Sequence, residues 1–104
     1  MEKYFLVYSG GKQPDPKDSK KVMDAWNAWF KSMGTGLVDG GAPTMPVSTI
    51  TSAGIKKGVM SDPVTGYSII TADNMDAANK MAKSSPHLAA GGTIMVYQLM
   101  PMVM

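Results

Sequence analysis

Two segments near the ends of the chain are apolar on both faces of a β-strand. Residues 3–9 and 93–100 are rich in aromatic, aliphatic and β-branched side chains. Such a composition is typical of strands with cover on both sides. In the first strand, Tyr4, Leu6 and Tyr8 face one way, while Phe5 and Val7 face the other. Any fold for this chain must therefore cover two sides of a sheet.

The segments between these strands contain two amphipathic helices. Asp18 or Ser19 can cap the first, whose apolar residues follow a 3.6-residue repeat up to Met33. Asp73 or Asn74 can cap the second, which we expect Pro86 to end. We predict further strands at residues 47–51, 58–61 and 66–72, a turn at residues 52–57 and a connector at residues 37–46.

This order of elements predicts an α+β, ferredoxin-like fold with both helices on one face of an antiparallel sheet. We expect residues 1–104 to form a single domain. The second sheet face is apolar as well, and an open apolar face of that size is unusual on a soluble monomer. We therefore predict a homodimer that buries sheet against sheet.

The composition limits the kinds of binding site and partner that we expect. The chain has no cysteine and no arginine, 11 methionines and a net charge of +2. We expect no disulfide, no metal site, no cofactor and no nucleic-acid partner, because the residues that build such sites are missing. No apolar run is long enough to cross a membrane, and we expect a cytoplasmic protein.

The paired glycines lack phosphate-loop spacing. We interpret seven methionines as flexible packing: Met23, Met33, Met60, Met75, Met81, Met95 and Met100.

A series of short motifs runs along nearly the whole chain. They are Trp26-x-x-Trp29-Phe30, Leu37-Val38-Asp39-Gly40-Gly41-Ala42-Pro43, Gly66-Tyr67, Ala72-Asp73, Ala77-Ala78, and Pro86-His87-Leu88 with Gly91-Gly92. On these motifs the chain resembles the YCII-related proteins, in the branch named for its Asp-Gly-Pro-Phe motif. The resemblance implies a dimeric α+β barrel.

The sequence departs from that family in three places. The Asp-Gly-Pro-Phe motif is replaced by Ser61-Asp62-Pro63-Val64, and Ser85 stands where relatives often have cysteine. A dehydrochlorinase of this family is thought to use a His–Asp pair whose histidine lies toward the first helix. This chain has no histidine there, so that pair is not carried over.

His87, the only histidine, is the candidate for proton transfer near neutral pH. The alternative is that its ring packs locally and binds carbonyls at a helix end. Asp39 and Asp62 are candidates for a carboxylate that orients the ring. For both, an Asx-turn or capping role is the alternative, which we favour.

Tyr8 and Tyr67 are candidate ligand-binding residues, because each combines an apolar body with a polar tip. A core or interface role is the alternative. We interpret Trp26 and Trp29 as core residues rather than a ligand platform. The leading hypothesis is a small dimeric protein that binds a small organic molecule, with His87-dependent acid–base chemistry of a lyase or isomerase type. The alternative is a non-catalytic dimerisation or regulatory module.

Overall fold

The computed structural model describes residues 1–58 and 62–101 of the chain. The strands are β1 (Glu2–Gly10), β2 (Leu37–Asp39), β3 (Ser48–Thr51), β4 (Gly54–Lys57), β5 (Val64–Ala72) and β6 (Gly92–Leu99). The helices are α1 (Ser19–Met33), α2 (Met75–Lys83) and α3 (Pro86–Ala89), with short 3₁₀ turns at Pro16–Asp18 and Gly34–Gly36.

Four strands form one antiparallel sheet in the order β2-β5-β1-β6. β1 lies in the centre, paired along its length with both β5 and β6. With α1 after β1 and α2 after β5, this is the ferredoxin-like arrangement, into which a separate β3–β4 hairpin is inserted between β2 and β5. The predicted α+β fold is confirmed.

One side of the sheet, the inner face, carries the core and both long helices. Tyr4, Leu6 and Ile70 are buried there against Trp29 of α1 and Ala78 of α2. The Trp29 indole N–H also donates to the Met81 carbonyl at 3.0 Å, which ties the two helices together. The apolar stripe of α1 explains this docking, because its residues return to the same side every turn.

The opposite side is named here the outer face, and its residues follow from the strand register. Val7 lies opposite Tyr67 and Met95, and Phe5 lies opposite Ile69 and Tyr97. The apolar residues of the outer face are Phe5, Val7, Tyr67, Ile69, Met95, Tyr97 and Leu99, and Lys3, Ser9, Thr71 and Thr93 are its polar residues. Three of these side chains are well exposed: Met95 at 51%, Tyr97 at 47% and Leu99 at 38%. The predicted second apolar face is therefore present and open in the single chain.

The hairpin differs from the prediction. Its return strand, β4, is Gly54–Lys57, where we expected a turn, and the turn itself is only Ser52 and Ala53. Gly54 at φ 139° permits this tight return, and the Thr51 hydroxyl accepts from the Ala53 N–H at 3.2 Å. Of the strand predicted at residues 58–61, Gly58 lies outside any strand, and residues 59–61 lie outside the described part of the chain.

Two further elements were mispredicted. The connector at residues 37–46 contains the short strand β2, paired with β5. Pro86 begins α3 as well as following α2, because the Ser85 hydroxyl caps the new helix by accepting from the His87 N–H at 3.2 Å. At the second helix start, Asn74 is the cap, since its side chain accepts from the Ala77 N–H at 2.9 Å.

The interpretation of the methionines as packing residues is correct for only part of the set. Met33, Met75 and Met81 pack against the core. Met23, Met95 and Met100 are exposed, so for them the interpretation is wrong within a single chain. Met60 lies outside the described residues.

Candidate functional site

A cavity of about 730 Å³ opens at the end of the sheet where β1 stops and β5 starts. It lies between the inner face, α1 and the loop that follows β2. Four aromatic and three proline residues contribute to its walls, together with Lys12, Asp62 and His87. The lining comprises Tyr8, Gly10, Gly11, Lys12, Gln13, Pro14, Met23, Trp26, Asn27, Phe30, Gly40, Gly41, Ala42, Pro43, Asp62, Pro63, Thr65, Gly66, Tyr67 and His87.

Tyr8 forms the inner wall of the cavity. Its hydroxyl donates to the Ser68 hydroxyl at 2.7 Å, and Ser68 donates in turn to the Gly40 carbonyl at 2.8 Å. Burial raises the pKa of the Tyr8 hydroxyl, and the hydrogen bond to Ser68 offsets part of that rise. Tyr8 is therefore a neutral phenol whose orientation is fixed by a short hydrogen-bond chain.

Trp26 and Phe30 of α1 form the facing wall. Trp26 meets Tyr8 edge to face, with ring centroids 5.3 Å apart, and lies 5.7 Å from Phe30. Trp29 belongs to the buried core, as predicted. Trp26 is only half-buried and lines the cavity, so its assignment to the core was incomplete. Both tryptophans lie on the apolar stripe of α1. The sequence pattern of that stripe does not show which of them lies next to the cavity at the end of the sheet.

His87 stands beside Tyr8 at the start of α3. The two ring centroids are 5.2 Å apart. His87 Nε2 lies 2.8 Å from the Ser9 carbonyl oxygen, which can only accept, so Nε2 carries the proton. In the neutral ring Nδ1 is then the acceptor nitrogen. Within the described part of the chain, the Ser9 carbonyl is the one hydrogen-bond partner found for this ring.

Two glycines make room for the imidazole. A Cβ on Gly92 would overlap the His87 ring, and a Cβ on Gly11 would lie 3.1 Å from its Cε1 and 3.6 Å from its Nδ1. The Nδ1 side of the ring therefore faces Gly11, which itself lines the cavity. Gly11 has a φ of 84°, a conformation that glycine adopts without strain.

Four of the five predicted site residues line the cavity, and one does not. Tyr8, Tyr67, Asp62 and His87 all contribute to the lining, but Asp39 does not appear among the described lining residues. The Asp39 carboxylate accepts from the Gly41 N–H at 2.8 Å, an Asx-type turn. Tyr67 reaches the cavity edge from β5 while its ring packs 5.7 Å from Phe5 on the outer face.

A second cavity, of about 590 Å³, lies beside the first and also borders His87 and Trp26. The segment Lys12 to Pro14 contributes to both cavities. This segment is fixed to α3 by a hydrogen bond from the Lys12 N–H to the Ala90 carbonyl at 2.9 Å. The histidine can therefore be approached from two sides, one aromatic and one flanked by Asp18 and Lys21.

The fold and this site define a small α+β protein with an aromatic cavity next to a backbone-anchored histidine. The chain is similar in structure to the 5-chloro-2-hydroxyhydroquinone dehydrochlorinase of Burkholderia phenoliruptrix, which was solved in complex with 2,5-dihydroxybenzoquinone. The TM-score is 0.57 at 18% sequence identity, over 93% of each chain. This likeness supports a YCII-like α+β fold. No protein-family model matches the sequence, and no curated protein matches it.

Over residues 1–58 and 62–101, no group of three or more His, Cys, Asp or Glu side chains could hold a metal ion. Over the same residues, no helix combines the length and the apolar character needed to cross a membrane.

Proposed function

We propose that this chain is a YCII-related protein that binds a small, planar organic molecule in the aromatic cavity, with His87 as polar anchor and acid–base group. One observation carries the proposal. The Ser9 carbonyl holds the Nε2 proton of His87, and this leaves Nδ1 as an acceptor on the side of the ring that faces Gly11 in the cavity lining.

The aromatic walls favour a flat ligand. Tyr8, Trp26 and Phe30 offer ring edges and faces within one cavity, and aromatic contacts of this kind add stabilisation beyond simple burial. The dehydrochlorinase of similar fold was solved with a flat quinone, which is in keeping with that shape.

The chemistry that such a histidine supports is proton abstraction. Nδ1 takes a proton from the ligand, and the electron pair of the broken bond forms a new double bond as a leaving group departs, or shifts along the ligand in an isomerisation. The imidazolium that results is stabilised by the Ser9 carbonyl through Nε2–H. Asp62, on the cavity edge, is the carboxylate that we place near the ligand. Asp39 shapes the loop that forms the cavity wall rather than orienting the ring.

The single histidine makes the test direct. In ¹⁵N-labelled protein, the two ring nitrogens give the only imidazole signals, and we expect a protonated Nε2 and an unprotonated Nδ1. Addition of 2,5-dihydroxybenzoquinone should shift the Nδ1 signal, whereas a saturated cyclic diketone of the same size should not. His87→Gln should abolish binding of the quinone, and Leu88→Ala, an exposed neighbour in the same helix, should not. Quinone binding that is unchanged in His87→Gln would refute the proposal.

A second function is favoured by the outer face. Its exposed Met95, Tyr97 and Leu99 form an apolar surface that we propose is buried by a second copy of the chain. As a dimerisation or regulatory module, the protein would need no turnover at His87. Sedimentation at micromolar concentration tests this directly, since a monomer there would refute the dimer. Tyr97→Asp should dissociate the dimer, and Ala28→Asp, at an exposed position of α1 on the other side of the sheet, should not.

A further inference from the structure

The chain exposes more surface than a single compact domain of its size. Its accessible surface is 7732 Å², whereas a folded monomer of this mass exposes about 5,700 Å². Its radius of gyration is 15.3 Å, compared with about 13 Å for a compact domain of this length. The excess area, about 2,000 Å², is enough for a standard interface, which buries roughly 800 Å² on each partner.

The β3–β4 hairpin is exposed along almost its whole length. Ile50 and Ile55 face each other across its two strands and are 73% and 70% exposed. Val47, at the base of the hairpin, is 71% exposed. The two strands pair with each other in a sheet of their own. A two-stranded hairpin is marginally stable alone in water, so this one requires a surface to pack against.

The base of the hairpin is built into the cavity rim. Pro43 forms a bridge to Gly66, and the Thr44 N–H donates to the Thr65 carbonyl at 3.0 Å. The Thr44 hydroxyl donates to the Val64 carbonyl at 2.7 Å. Pro43, Thr65 and Gly66 all line the cavity. The hairpin is thus an arm whose base is ordered against β5 while its apolar tip projects away from the core.

We propose that this arm packs on a second copy of the chain, beside the sheet-to-sheet contact. The inference rests on the proposed dimer. A two-fold dimer places both arms in equivalent positions, so each chain donates its own arm and receives its partner's. Three strands of eight or nine residues and the three-residue β2 give this sheet a face of roughly 450 Å². The arm supplies the remaining area that a stable interface requires.

Charge argues for a closed dimer rather than open-ended strand addition. Lys56 and Lys57 are both exposed on β4. Lysines on an edge strand disfavour pairing with the same strand of another chain, since like charges would meet. The apolar side chains of the arm are therefore best satisfied by packing on the partner rather than by extending a sheet.

The test compares one substitution on the arm with a matched control. Ile50→Asp should raise the dimer dissociation constant at least about 100-fold, because two buried isoleucines are lost per dimer. Ala28→Asp adds the same charge on an exposed position of α1 and should change the constant less than about threefold. Both are measured by sedimentation equilibrium, with unfolding midpoints confirming that the variants fold.

Hydrogen exchange then identifies what the arm contacts. Amides of residues 48–57 should be protected above the dimer dissociation constant and exchange rapidly below it. A wild-type protein that stays monomeric would refute the proposed dimer and the arm together. A wild-type dimer whose dissociation constant is unchanged by Ile50→Asp would refute the arm alone. Protection that persists in the monomer would also refute the arm, since it would place the hairpin on its own chain.

Discussion

Gly92→Ala is expected to displace His87, although Gly92 is not among the described residues that line the cavity. Gly92 begins β6 and is paired with Gly10, and its Cβ position falls on the His87 ring. Its backbone is not in the left-handed region, so alanine itself is tolerated there. The three atoms nearest to that Cβ all belong to the imidazole, which must move and would lose its hydrogen bond to the Ser9 carbonyl.

The change in unfolding free energy caused by Gly92→Ala is the sum of three contributions. Loss of the hydrogen bond to Ser9 costs about 0.5–1.5 kcal/mol. Rotation of the ring out of its preferred position costs roughly another 0.5–1.5 kcal/mol. Replacement of glycine by alanine at a compatible position returns about 0.4–1 kcal/mol by restricting the unfolded chain. The variant should therefore be less stable by about 1 kcal/mol, or roughly 4–8 °C in melting temperature.

A double-mutant cycle isolates the contact. In a His87→Ala background there is no ring to displace, so Gly92→Ala should stabilise the protein by about 0.4–1 kcal/mol. Urea denaturation of the wild type, the two single variants and the double variant measures all four free energies of unfolding. The substitution must change sign between the two backgrounds. Destabilisation of equal size in both would refute the placement of His87 over Gly92.

Two further predictions concern the walls of the cavity. Because burial raises the pKa of Tyr8 above its ordinary value of 10.0, the unfolded chain deprotonates first, so stability present below pH 10 is lost as the pH rises through the raised pKa. Tyr8→Phe should flatten the fall in unfolding free energy between about pH 9 and 11 relative to the wild type, and an unchanged slope would contradict this. Gly41→Ala should cost at least about 2 kcal/mol in urea denaturation, because its φ is 77° and its Cβ would overlap the Tyr67 carbonyl. Gly91→Ala is the control: its φ is also positive, at 82°, but no atom lies within 4 Å of its Cβ position, so it should cost only about 1 kcal/mol.

The parts of the fold that sequence predicts well are those whose patterns are local. The apolar stripe placed α1 correctly up to Met33, and the run of large apolar side chains located β1. The hairpin was placed less well because its residues are almost all exposed, so burial leaves no periodicity that would fix the position of β4. Pro86 was ambiguous for a different reason. Proline is as suitable for the first turn of a helix as for its end, and only the Ser85 cap decides between them.

The candidate site was predictable in its residues but not in their contacts. His87 was identifiable as the only histidine, and Tyr8 by its position on a buried strand. The hydrogen-bond acceptor for the ring is a backbone carbonyl, at Ser9, and carbonyls leave no mark in a sequence. The role of Trp26 depends on where α1 ends relative to β1, which is a tertiary property. Of the two glycine pairs, Gly11 and Gly91 lie in loops, whereas Gly10 and Gly92 are strand ends paired with each other. The space that Gly92 leaves for the imidazole is visible only in three dimensions.

The arm and the cavity share part of their backbone, so dimerisation and ligand binding should be thermodynamically coupled. The same backbone, from Pro43 to Thr44 and from Thr65 to Gly66, forms the base of the hairpin and the rim of the cavity. An arm held on a partner would restrict that rim, so a ligand binding to the dimer would lose less conformational freedom than one binding to the monomer. Coupling of this kind is reciprocal: a ligand that binds the dimer more tightly must strengthen dimerisation by the same factor. Ligand affinity and the dimer dissociation constant should therefore change together in Ile50→Asp, although Ile50 lies outside the cavity lining.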